Sequence, residues 1–329
     1  MSPADLHTRI KIDFPWGITR PSLSLHALVL LVTASMLIGC QAEPRSGAED
    51  KRPPARELVD LEDRITEYAG RAKDREPYTP LDNDQREHLA HGVGALLGGD
   101  LEGAGKHFSG IGFRVTTLTD AVSGRRYHEV AARGSGVESR WGRLYVSADA
   151  GVRWSVQVPH PVSDRGTETL GARLLESAPG GALVVAGAHR TSGEEGAADV
   201  AHRTDSAFHV VIAELQKRGV PGVQIHGFAK DSDRPYDAIV STGAARTAPA
   251  DAGRLAALME DRRFRVCKGW SDRCPLEGTT NVQGRTAKHL DATFLHVELA
   301  PALRSDDAKG VRAREALSEL LEGWAGADR

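Results

Sequence analysis

The sequence predicts an α/β protein with a mixed, mostly parallel sheet, helices on both faces, and a small helical region in front. Two observations predict it. Short apolar runs such as ALVVAG, GVQIHG and TFLHVEL alternate with helical stretches such as TDSAFHVVIAELQKR and ADAGRLAALMEDR. Strand–helix alternation is the pattern of a parallel sheet covered on both sides. At 329 residues the chain has room for one large domain with extensions, or for two small ones. A net charge of −3 leaves no basic excess to neutralise phosphates, so nucleic acid is not an expected partner.

Residues 1–40 read as an export signal. Arg9, Lys11 and Arg20 give a weakly basic start, and LSLHALVLLVTASM follows. That run is shorter than the ~20 residues a membrane span needs. It stops at Leu37-Ile38-Gly39-Cys40, the pattern of a lipobox with Cys40 as acceptor. The expected product is an exported lipoprotein held on the extracytoplasmic face by lipid on Cys40, since more than one acyl chain suffices for stable anchoring. Cys267 and Cys274 then remain, outside the cytoplasm where disulfides persist, and are expected to pair. Their spacing, with six residues between, does not suit a zinc knuckle.

Residues 41–57 are polar and Pro-rich and read as a tether. The helical region, 58–110, carries two amphipathic stretches, near 58–73 and 83–97, with Leu58, Leu61 and Ile65, then Leu89, Val93, Leu96 and Leu97, at helical spacing. The α/β domain is expected over 111–329. It opens with the strands FRVTTL, RYHEVAA, RLYVS and RWSVQV. Thr204 or Asp205 is the expected N-cap of the helix that follows ALVVAG. DAIVST and FRVCK are further strands, and AREALSELLEGW is a closing helix.

In such sheets the site lies beyond the carboxyl ends of the strands. The strand SVQV runs out at Pro159-His160, before the turn PVSDRGTE; VQI ends at His226; FLHV leads to Glu298. Two histidines and a carboxylate with a fourth position open are the donor set of a catalytic zinc, and a further carboxylate suits a general base. Each residue also has a plain structural role available: His160 as a loop cap, Asp164 as a turn residue, Glu298 as an arginine's partner.

The order of these motifs over residues 155–304 resembles the poly-gamma-glutamate hydrolase family, related to zinc carboxypeptidases and N-formylglutamate amidohydrolases. HPVSDRGTETLG matches the first motif and puts His160 and Asp164 in ligand places, with Gly166-Thr167 in the turn. DVAHRTDSAF matches a short His-containing stretch. Gln224-Ile225-His226-Gly227 matches the strand end that supplies the third ligand. NVQGR and FLHVELAPALR complete the series, with Glu298 in the catalytic position and Arg304 closing it. The family carboxylate is usually Glu, in a loop one residue longer, so Glu168 stands as a rival to Asp164.

The resemblance implies a zinc-carboxypeptidase-like fold and one Zn²⁺ on His160, Asp164 and His226. It implies hydrolysis of an amide or isopeptide bond in a peptide or gamma-glutamyl substrate, with Glu298 as general base. Arg285, preferred, and Arg190 are candidates for binding a substrate carboxylate, and His202 for the oxyanion. His189, His209 and His296 read as structural. The alternative is a non-catalytic binding lipoprotein with a degenerate hydrolase cleft.

Overall fold

The computed structural model describes residues 57–231, 234–245 and 250–327. Residues 1–56, with Cys40 and nearly all of the expected tether, lie outside them. The described chain runs β1 (Glu57–Val59), α1 (Leu61–Ala69), α2 (Asn83–Leu97), α3 (Leu101–Gly110), β2 (Phe113–Asp120), β3 (Arg126–Ala132), β4 (Arg143–Ser147), β5 (Trp154–Val158), α4 (Thr167–Ser177), β6 (Gly181–Val185), α5 (Ala207–Lys217), β7 (Gly222–Gly227), β8 (Ala238–Ser241), α6 (Ala250–Asp261), β9 (Val266–Lys268), α7 (Val282–Leu290), β10 (Phe294–Leu299) and α8 (Ala308–Gly326). The strands form one sheet, ordered β1-β2-β3-β4-β6-β5-β7-β10-β8-β9.

The centre, β6-β5-β7-β10, is parallel, while β2, β3 and β4 form an antiparallel flank and β8 runs against β10. This is the mixed, mostly parallel α/β sheet that the alternation predicts. The central strands WSVQV, GALVV and FLHVEL are buried along their whole length, as strands covered on both faces must be. One face packs against α1, α4, α6 and α8, with Leu61, Ile65, Leu174, Leu255 and Leu320 at the contact. The other packs against α2, α3 and α5 through Leu89, Val93, Phe108, Phe208 and Ile212.

Boundaries differ from expectation in places. The first helix begins at Leu61, because Asp60 caps it and the three residues before it pair in parallel with β2 as an edge strand. The N-cap of α5 is Ser206, whose hydroxyl accepts from His209 N; Thr204 and Asp205 lie two residues and one residue too early. Helix α7 forms where the sequence shows only the NVQGR stretch, capped by Asn281 on Gly284 N.

One buried charge fastens α1 to the antiparallel flank. Glu129 of β3 is 2% exposed and takes both nitrogens of the Arg64 fork, at 2.9 and 2.7 Å, with Arg143 at 3.0 Å. Burial alone would raise its pKa, but the two guanidiniums hold it below the usual carboxylate range. Glu129→Ala leaves both cations without their shared partner and is expected to cost on the order of 3 kcal/mol in a urea unfolding curve; a midpoint unchanged from wild type contradicts this reading.

Candidate metal centre

Alternation along the central strands builds the site. On β5, β7 and β10, Val156, Val158, Val223, Ile225 and Val297 face the core lined by α4 and α8. Their neighbours Gln157, Gln224, His226, His296 and Glu298 therefore point to the opposite side, since strand side chains alternate. Register then places them shoulder to shoulder: Gln157 beside Gln224, Gln224 beside His296, and His226 beside Glu298.

His160 follows β5 by two residues, and the turn after it carries Asp164 back under the strand ends. Asp164 N donates to His160 O at 2.9 Å. Val162 adopts φ 68°, a left-handed conformation that a β-branched residue takes only under strain. Gly166 ends the turn at φ 87°, and a Cβ there would lie 2.6 Å from Arg304 O. Arg304 binds the assembly together by donating to Leu299 O at 3.1 Å and to Arg165 O.

The donor atoms of His160, Asp164 and His226 all lie within 4.8 Å of one another, in buried surroundings. Asp164 Oδ2 is 3.4 Å from His160 Nδ1 and 3.4 Å from His226 Nδ1. These separations are long for hydrogen bonds. They match the edge of about 3.3 Å in a tetrahedron whose centre holds zinc at ~2.05 Å. The far nitrogens are already engaged: His160 Nε2 meets Asp199 Oδ1 at 2.8 Å, and His226 Nε2 meets Gln224 Oε1 at 2.9 Å. An oxygen acceptor on Nε2 fixes the tautomer that presents a lone pair at Nδ1, which is how ligating histidines are oriented. The three residues thus fit a divalent cation.

Charge follows the same design. Burial opposes a charge on Asp164, yet the two imidazoles hold its pKa well below normal. Burial also works against a proton on His160, but Asp164 and Asp199 outweigh it and raise the pKa. His226 is driven down to about 4, by burial first and the charge of His160 next. Asp199 falls to about 2: burial opposes its charge, and His160 and Arg190 favour it.

Glu298 is 7% exposed, and its Oε2 has no hydrogen-bond partner. Burial, then the charge of Asp164, pushes its pKa up to about 8. No ion pair among the described residues joins it to an arginine, and Arg304 beside it donates to backbone carbonyls. His226, His296 and Glu298 form a second grouping within 4.8 Å. The first set suits a cation better, because both nitrogens of His226 are already directed at Asp164 and Gln224.

The other expected residues divide. Arg190 reaches the site: it donates to Asp199 Oδ2 at 2.7 Å and lies 3.4 Å from His160 Nδ1. His202 is exposed but close enough to His296 to help depress that residue's pKa. Arg285 is exposed on α7, with no hydrogen bond or ion pair joining it to the cluster. Glu168 stands in the first turn of α4 and belongs to no donor grouping among the described residues. Cys267 and Cys274 are bonded to each other.

Sequence reading set His296 aside, although it is 4% exposed, stacks 4.5 Å from the His226 ring, and has a buried Nδ1 without a partner. Its spacing of two from Glu298 was the available signal. Asp199 was missed despite lying in the DVAHRTDSAF stretch.

Among solved structures, the chain is similar to N-formylglutamate amidohydrolase from Ralstonia eutropha JMP134, at 14% identity and TM-score 0.36, over 53% of this chain and 93% of that one. A metallo-carboxypeptidase from Pseudomonas aeruginosa matches at 15% identity and TM-score 0.34, over 75% of this chain and 69% of the other. The ectoine utilization protein EutE (DoeB) from Ruegeria pomeroyi matches at 11% and 0.40, over 66% and 72%. At such values the likeness fixes neither metal nor substrate. A tie to poly-gamma-glutamate hydrolases in particular rests on the sequence motifs alone. No family model matches the chain, and no curated protein matches it in sequence.

Asp164→Asn is expected to lose zinc while Glu168→Gln keeps it, read by metal analysis after dialysis. Asp199→Ala, which removes only the support of His160, should weaken zinc affinity by about 10–100-fold. Zinc must also displace a proton from His160, so affinity should fall as pH drops below that residue's raised pKa. Loss of metal in Glu168→Gln alone would move the carboxylate ligand.

Proposed function

We propose that the chain is a zinc-dependent hydrolase of amide or isopeptide bonds, of the amidohydrolase or carboxypeptidase type, acting outside the cytoplasm. The observation that carries this reading is the pair of 3.4 Å separations around Asp164 Oδ2, with both Nε2 atoms held from behind. One Zn²⁺ on His160, Asp164 and His226 would supply Lewis acidity to a carbonyl and lower the pKa of a water toward ~7.

The protein's own groups supply the rest. Glu298 Oε2, buried and free of hydrogen bonds, takes the proton of the attacking water. Water oxygen bonds to the carbonyl carbon, the carbon–nitrogen bond breaks, and Glu298 returns the proton to the leaving amine. Burial first, and then the negative field of Asp164, raise the Glu298 pKa; a positive charge at the three ligands would offset the second of these and favour the carboxylate form. Arg190 keeps Asp199 ionised and adds a guanidinium at the edge of the centre, where an anionic oxygen of the substrate can meet it.

The lipobox ending at Cys40 supports anchoring on the extracytoplasmic side, and the Cys267–Cys274 disulfide agrees with an oxidising compartment. No helix among the described residues is long and apolar enough to cross a membrane. Peptides and gamma-glutamyl chains are the substrates that such a location and the sequence motifs favour.

Glu298→Gln tests the mechanism. The variant should keep its zinc and its melting temperature, since Glu298 is neither ligand nor ion-pair partner. Hydrolysis of a gamma-glutamyl or stem-peptide substrate should drop by ~10²–10⁴. A zinc-loaded variant as active as wild type would remove Glu298 from the mechanism.

A further inference from the structure

Three histidines converge away from the strand ends, on the helices that precede β2. His88 and His91 stand on α2, three residues apart, so they are neighbours on one helix face. His107 stands on α3. Its ring centre lies 5.8 Å from that of His88 and 5.2 Å from that of His91, each pair tilted by 53°. His88 and His91 are exposed and His107 is half-buried. None of the three side chains makes a hydrogen bond or ion pair among the described residues.

Packing sets the three backbones relative to one another. Only Gly98, Gly99 and Asp100 join the two helices, and Asp100 caps α3 on Gly103 N at 2.8 Å. Gly92 allows close approach, since a Cβ there would fall 2.7 Å from the Phe108 ring. Phe108 is fully buried, and His107 is the residue before it. Gly110, three residues after His107 and so on the same face, borders His88: a Cβ there would lie 3.4 Å from that ring. Two separate contacts therefore hold the His107 face of α3 against the histidine face of α2.

Imidazole suits late first-row divalent cations. A nitrogen ~2.05 Å from zinc puts its ring centre about 3.2 Å from the ion, and tetrahedral angles then separate ring centres by about 5.2 Å. The observed spacings lie at that value and just above it. The nitrogens do not yet fall together within the 4.8 Å that gathers the buried donor sets. Exposed rings turn about χ2 at little cost, so the last approach is a side-chain motion. Asp84 and Glu87 each precede one of the histidines by four residues on α2, and neither side chain is engaged among the described residues. Either supplies a fourth donor, or water does. The adjacent cation Lys106 is paired with Glu102 at 2.7 Å.

We propose that His88, His91 and His107 form a second metal site, for a late first-row divalent cation, that clamps α3 to α2. It does not depend on the hydrolase reading. Water competes for an exposed ion, so this site is weaker than the buried centre, and dialysis that leaves the centre loaded empties it.

The test adds Zn²⁺ back to the dialysed protein and follows uptake by equilibrium dialysis, with hydrogen exchange of the α3 amides on the same samples. Wild type should take up one further ion per chain, and exchange in α3 should slow. His107→Gln removes the one donor from α3; it should weaken that uptake at least tenfold and abolish the protection. His88→Gln combined with His91→Gln should do the same from the other helix. Without added metal these variants should melt with wild type, because none of the three side chains holds a partner in the fold. Asp164→Asn should keep the further ion, which separates this site from the buried centre. Uptake within twofold of wild type in His107→Gln, no further ion in wild type, or uptake that leaves α3 exchange unchanged overturns the site.

Discussion

Asp164 places one carboxylate oxygen equally far from two imidazole nitrogens, and the rest of the site exists to keep it there. A buried carboxylate is costly unless it is met by positive charge or donors. Here the backbone of Gly227 donates at 3.2 Å, and the imidazoles face it without closing a short hydrogen bond. The strained Val162 and the left-handed Gly166 bend the turn so that the carboxylate arrives under β7. Arg304 then locks that turn to the end of β10. The centre therefore depends on three strands and one turn being fixed together.

Behind the histidines lies a buried polar seam that an ordinary α/β core would fill with aliphatic groups. Gln224 accepts from His226 and from Asn281, and donates toward Gln157 at 3.2 Å and Gln283 at 3.3 Å. Gln283 in turn donates to Val200 O at 2.9 Å, close in the chain to Asp199. Each of these amides is nearly inaccessible to water, so each must find a partner inside. The seam ties the support of His226 to the loop that supports His160. Orientation of both histidines is thus one problem with one solution.

The sequence told part of this. Apolar runs such as ALVVAG and the alternation with helices announced the sheet, because burial on both faces forces that composition. His160, His226 and Glu298 were legible from their positions at strand ends, and Asp164 from the turn motif. His296 was passed over as one histidine among several, although its spacing of two from Glu298 puts both on one face. Asp199 had no local signal: it meets His160 across 39 residues, through a loop whose path is set by tertiary contacts. The edge strand β1 was too short to show periodicity, and Ser206 lost to Thr204 and Asp205 because all three are good caps.

Anomalous diffraction at the zinc edge, from crystals of the zinc-loaded protein, tests the central claim most directly. The account predicts one strong peak about 2.0–2.2 Å from His160 Nδ1, His226 Nδ1 and an Asp164 carboxylate oxygen, with Glu298 beside it but unbound. A peak held by His296 and Glu298 instead, coordination through either Nε2, or no peak at the strand ends would contradict it.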